Sequence, residues 1–230
     1  MNRKKQISDQ TKKLCGMAMF AALAFVLSLM TSGIRIAFLT IDIKDAILAI
    51  GAFIYGPLAS LPLCIVTAFL SSVITGFETG FWGLAMDFLS SLIFVITAAA
   101  VYKYKRTMTG AVIGLFVAVL LYTAMMVPLN LLITPIYTKQ PVEAVAGLLI
   151  PLLIPFNFAK SVLNAAIVMV LYKPIVTALR ATKLVRGDTK NTKICKTTAI
   201  IFATAIVTLI VAIVVFVLTD NSLPPYLKNM

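Results

Sequence analysis

Three polar side chains stand out within the run PFNFAKSVLNAAIVMVLYK (residues 155–173): Asn157, Lys160 and Asn164. On a helix turning about 100° per residue, offsets of three and seven fall within roughly 60° of one another, on one face. The rest of the run is apolar enough to lie in a bilayer. There an ammonium costs about 2.5–3.5 kcal/mol and normally faces a cavity or a partner. A lone lysine could instead snorkel to the interface. Two asparagines on its face argue for the polar wall of a ligand pocket. Asparagine offers both donor and acceptor and suits amide-like or heterocyclic edges. Lys160 can donate to a carbonyl or an anion, or pair with Asp87 in a purely structural bridge.

The composition says what must position these groups. Of 230 residues, 61% are hydrophobic and 12% charged, and there is no His. A soluble domain of this length could not hide so much apolar surface, so the chain reads as all-α and polytopic in a membrane. Apolar runs of about 20 residues indicate helices rather than the alternating strands of a barrel. The net charge of +12 could suggest nucleic acid, but the basic residues sit in short segments between apolar runs. Without His, the usual general base and the usual metal ligand are missing. Cys15, Cys64 and Cys195 lack metal spacing, and a structural disulfide is not expected. There is no phosphate-cradling Gly-rich loop, no obvious inverted repeat and no string of carboxylates for proton coupling. Energy for transport would have to come from a partner, or the process is passive.

In chain order, a basic cytoplasmic segment (1–13) precedes a first apolar run over 14–33, where Ala18 and Ala22 present a smooth face to another helix. A polar interruption, RIAFLTIDIKD (35–45), leads into a short run over 46–54 that stops at Tyr55-Gly56-Pro57, a turn signal. Irregular backbone is tolerated at membrane depth only under cover, so 37–45 is a candidate lid or pocket edge. Further runs cover 58–75, 81–102 and 110–133. A broken lead-in with Pro151 and Pro155 precedes the sixth span, 155–173. A basic linker (174–196) is followed by a seventh apolar run over 197–218 within a last segment, 197–230. Of 20 Lys and Arg, 15 fall in 1–13, 103–106 and 173–196, which puts the N-terminus inside and, with seven spans, the C-terminus outside. Asp87, Asn130, Asn157, Lys160 and the interruption then share one depth on the outer side. Trp82, the sole Trp, lies at the outer interface as a belt residue.

The run FLTIDIKDAILAIGAFIYGPLAS (38–60) resembles the loop and second-helix signature of the substrate-binding S components of energy-coupling factor vitamin transporters. AMDFLSSLIFVITAAAVYK (85–103) and residues 155–173 are similar to the riboflavin-specific type. The resemblance covers roughly 14–173 and implies a six-helix membrane bundle, with the seventh helix an addition. It further implies a subunit that is not an enzyme, has no cofactor and captures riboflavin outside the cell. Delivery inward would use a membrane coupling subunit and two ATPases. Matched residue by residue, the ligand contacts it implies are Asn130, Asn157, Lys160 and Asp42, with Leu39 and Thr40 beside them in the loop signature. Ala18 and Ala22 match the motif that docks the coupling subunit. Asp87 and Asn164 join the candidate ligand site as further polar groups on its walls. Lys44 stands where members commonly have a small or hydroxyl residue, and Asp87 where they have Asn. S components for another vitamin or precursor, such as pantothenate or a queuosine precursor, share the fold. A membrane protein without a small ligand is the reading from another class.

Overall fold

The computed structural model describes residues 3–32, 35–36, 39–74 and 80–181. The seventh apolar run, Cys195 and most of the basic linker lie outside the described residues, as do Ala37 and Phe38 of the expected lid. Helix α1 (Arg3–Thr31) begins within the basic segment, so the first span and the charged stretch before it are one continuous helix. The polar interruption that follows contains a small antiparallel hairpin. In it β1 (Arg35–Ile36) pairs with β2 (Leu39–Thr40), Arg35 opposite Thr40 and Ile36 opposite Leu39.

Helix α2 (Lys44–Tyr55) has 12 residues, every one buried from Lys44 to Phe53. At about 1.5 Å per residue it is too short for a hydrocarbon core of about 30 Å. A helix apolar on all sides is stable only when surrounded, and α2 packs against α1, α4 and α7 in the middle of the bundle. It stops at Gly56, whose φ of 99° favours glycine, and a 3₁₀ turn (Pro57–Ala59) leads into α3 (Ser60–Ile74). Helix α4 covers Gly80–Tyr104.

Helix α5 (Met108–Thr138) is capped by the Thr107 side chain, which accepts from the Gly110 N–H. It continues through Pro128 and Pro135, five residues beyond the expected end at 133. Proline inside a spanning helix is tolerated where side chains supply extra bonds. Here the Thr138 hydroxyl donates to the Thr134 carbonyl at 2.6 Å. The expected broken lead-in is a short helix, α6 (Val142–Leu148), and a π turn (Leu149–Leu153) that runs into α7 (Ile154–Ala181).

Chain reversals place the end of α1, the start of α2, the start of α4, the end of α5 and the start of α7 at the hairpin end of the bundle. The Lys103–Arg106 loop marks the opposite, basic end. Among the described residues five segments are long and apolar enough to cross a membrane, and α2 is the short element packed between them. Leu23, Val26, Ile65, Phe69, Phe116 and Leu120 are exposed, an apolar exterior suited to lipid. At the basic end Phe53 stacks on Tyr102 with ring centroids 4.5 Å apart. The Tyr102 and Tyr172 hydroxyls share a hydrogen bond of 2.6 Å, so aromatic rings join α2, α4 and α7 there. Toward the same end, α1 meets α2 where a Cβ on Gly16 would lie 1.8 Å from the Tyr55 hydroxyl oxygen.

Candidate ligand-binding site

At the hairpin end, polar residues that precede or open helices are carried into the bundle. Asp42 lies between β2 and α2, and Lys44 is the first residue of α2. The Lys44 side chain is 2% exposed, and its ammonium lies 2.7 Å from Asp42 Oδ2 and 2.5 Å from Asp87 Oδ1 on α4. The Lys44 backbone N–H also donates to Asp42 Oδ1 at 2.9 Å. From α1, the Ser28 hydroxyl donates to Asp42 Oδ2 at 3.2 Å. An ammonium between two carboxylates repays its desolvation in a low-dielectric interior where the geometry is good and further hydrogen bonds satisfy the remaining lone pairs. Both Asp42 oxygens are bonded in that way, and the more exposed Asp87 keeps access to solvent.

Asn164 on α7 closes the same network through the backbone. Its Oδ1 accepts from the Ala46 N–H at 2.9 Å. Its Nδ2 donates to the Asp42 carbonyl at 2.9 Å and to the Lys160 carbonyl at 3.1 Å. One amide thus clamps the hairpin's exit and the first turn of α2 onto α7.

One turn before Asn164, Lys160 stands differently. Among the described residues its ammonium makes no hydrogen bond or ion pair, although it is within electrostatic reach of Tyr122, Asp45 and Asp42. The structural alternative for this lysine, a bridge to Asp87, is not what forms, because Lys44 holds Asp87. Asn157 is buried. Its Nδ2 donates to the Leu153 carbonyl at 2.8 Å, and its Oδ1 accepts a long bond of 3.4 Å from the Tyr122 hydroxyl. Asn130 is buried as well, and its bonds stay on α5: Nδ2 to the Met126 carbonyl at 2.7 Å and Oδ1 from Thr134 at 3.1 Å. Each of these asparagines keeps unused bonding capacity. Leu39 and Thr40 are half-buried in β2, with Ile41 between them and Asp42.

Residues that sequence reasoning passed over complete the picture. Lys44 registered only as a departure from the resembled pattern, yet it bonds the other departure, Asp87. An Asp two residues before it and another one residue after were the available signal. Tyr122 and Ser28 are uncharged hydroxyls in apolar runs and gave none. Asp45 Oδ1 and Ser91 Oγ are buried with no hydrogen-bond partner among the described residues. Among those residues no His, Cys, Asp and Glu side chains gather in threes to hold a metal ion. Ala18 and Ala22 are exposed on α1, on the side away from the buried Phe20, Ala21 and Ala24.

A membrane bundle with a small polar hairpin over one end and hydrophilic side chains beneath it is the arrangement of a substrate-capturing transport subunit. Residues 12–172 match the family model of the ECF transporter substrate-specific component, and the chain belongs to that family. Two relatives carry particular names. The riboflavin transporter RibU of Staphylococcus aureus is 27% identical over 187 residues, which are 77% of this chain and 97% of that protein. The riboflavin transporter FmnP of Bacillus subtilis is 27% identical over 174 residues, 71% of this chain and 91% of that one. A solved S component of a bacterial ECF transporter superposes with a TM-score of 0.63 at 28% identity, covering 74% of this chain and 99% of its own.

Proposed function

We propose that this chain is the substrate-binding subunit that captures riboflavin from outside the cell and passes it inward with an ATP-driven energy-coupling module. The observation that carries the reading is Lys160, an ammonium inside the bundle without a bonding partner among the described residues, beside Asn157 and near the hairpin. A charge held in that way suits an incoming acceptor. The flat ring of riboflavin has carbonyl oxygens along one edge, and the relatives at 27% identity are named as riboflavin transporters.

In this reading Lys160, Asn157 and Asn130 bond the polar edge of the ring or the ribityl hydroxyls. Leu39 and Thr40 close over it, and Asp42, Asp87 and Asn164 complete the wall. The exposed Ala18 and Ala22 let a helix of the membrane coupling subunit approach closely, and two ATPases drive the assembly. The protein is a multi-pass protein of the cell membrane with its N-terminus in the cytoplasm and its C-terminus outside, as the distribution of basic residues favours. Riboflavin is cargo rather than cofactor, and no bond in it is made or broken.

The test uses the purified full chain in detergent. Riboflavin fluorescence should be quenched on binding with submicromolar affinity, and pantothenate should not compete. Absence of binding below the micromolar range overturns the reading.

A further inference from the structure

Lys44 has no contact role in the function just described, yet its ammonium joins the hairpin exit and α2 to α4, and bonds to Asp42 and Ala46 bring α1 and α7 into the same network. Exposure along the ion chain rises outward: the Lys44 side chain is 2% exposed, that of Asp42 10% and that of Asp87 27%. Asp42 belongs to the exit of the hairpin and Asp87 to α4. Ser28 ties Asp42 to α1, and Asn164 ties the Asp42 carbonyl and the Ala46 N–H to α7. Without the ammonium, two carboxylates would face each other at the mouth of the pocket and repel. Removing one partner of a buried ionic group leaves uncompensated charge and is strongly destabilising.

We propose that Lys44 is a positioning residue for ligand capture. It holds the exit of the hairpin against α4, so that the mouth of the pocket is formed before the ligand arrives. Asp42, Asp87 and Asn164 act through this ammonium and through the backbone rather than as direct partners of the ligand. A site formed in advance loses less ordering free energy on binding, and the gain shows mainly in slower release. The inference rests on the hairpin end being the ligand site.

The test compares Lys44→Gln, Asp87→Asn and the double variant in the full chain. Lys44→Gln should weaken riboflavin binding about 10-fold or more and speed its release. Asp87→Asn alone should cost about 3-fold, and the double variant should return to within about 3-fold of the parent, because Asp42 then faces two neutral amides able to donate to it rather than a second carboxylate. Losses that simply add overturn the proposal. So does an Asp87→Asn loss of equal size in both backgrounds, which makes Asp87 a ligand contact. A lower melting temperature with an unchanged release rate also overturns it, since Lys44 is then only structural.

A second measurement needs no ligand. With Cys15 and Cys195 replaced by Ser, Ile41→Cys reports on the exit of the hairpin through its rate of maleimide labelling. Lys44→Gln should raise that rate several-fold and the double variant should restore it; an unchanged rate overturns the proposal. If the parent protein binds no riboflavin, the functional reading falls and the labelling rates alone decide the role of Lys44.

Discussion

Two neighbouring side chains on α7 should respond to truncation with opposite signs in stability. Lys160 carries an unpartnered ammonium in the bundle, so Lys160→Met removes a desolvated charge. The melting temperature of the ligand-free protein should hold or rise, while riboflavin affinity falls about 10-fold or more through loss of a charged hydrogen bond. Asn164→Ala instead leaves the Ala46 N–H and the Asp42 carbonyl without their partner, at a cost of about 1–3 kcal/mol. Thermal unfolding in detergent with and without riboflavin separates the two; a shared drop in melting temperature would contradict the assignment. That Asn157, Lys160 and Asn164 share a face was legible from their spacing. The division of labour among them was not, because it depends on backbone 118 and 122 residues away in sequence. Lys44 was hidden for the same reason: its Asp42 partner is two residues away, but Asp87 is 43.

Helices were the most readable elements, since long apolar runs have few other ways to satisfy their backbone in a membrane. The run over 46–54 was ambiguous because its length suits neither a span nor a loop. Only the packing of α1, α4 and α7 around it shows that α2 is the buried axis of the bundle. The end of α5 was misplaced because proline punctuates soluble helices more strongly than spanning ones, and the hairpin was hidden within what read as irregular backbone. The fit of α1 against α2 gives a prediction at this scale. Gly16→Ala sets a methyl group against the Tyr55 hydroxyl, and the ring must swing away from its edge contact with Phe20. Overpacking of this kind costs about 1–3 kcal/mol. Thermal unfolding should show the loss, and Tyr55→Leu in the Gly16→Ala background should recover part of it; no recovery would place the strain elsewhere.

For the molecule as a whole, binding and transport should be separable. Ala18→Leu with Ala22→Leu enlarges an exposed face of α1 far from Lys160 and the hairpin. Uptake by cells supplying the coupling module should fall to background while riboflavin affinity of the purified chain stays within about 2-fold. A matching loss of affinity would show that this face supports the pocket rather than a partner. The aromatic contacts at the basic end have a consequence of their own. With Phe53, Tyr102 and Tyr172 interlocked, packed aromatic rings close α2, α4 and α7 together at the basic end of the bundle. Liposomes bearing this chain alone should therefore lose a riboflavin gradient no faster than protein-free liposomes; faster loss would mean that the packed rings leave a way through.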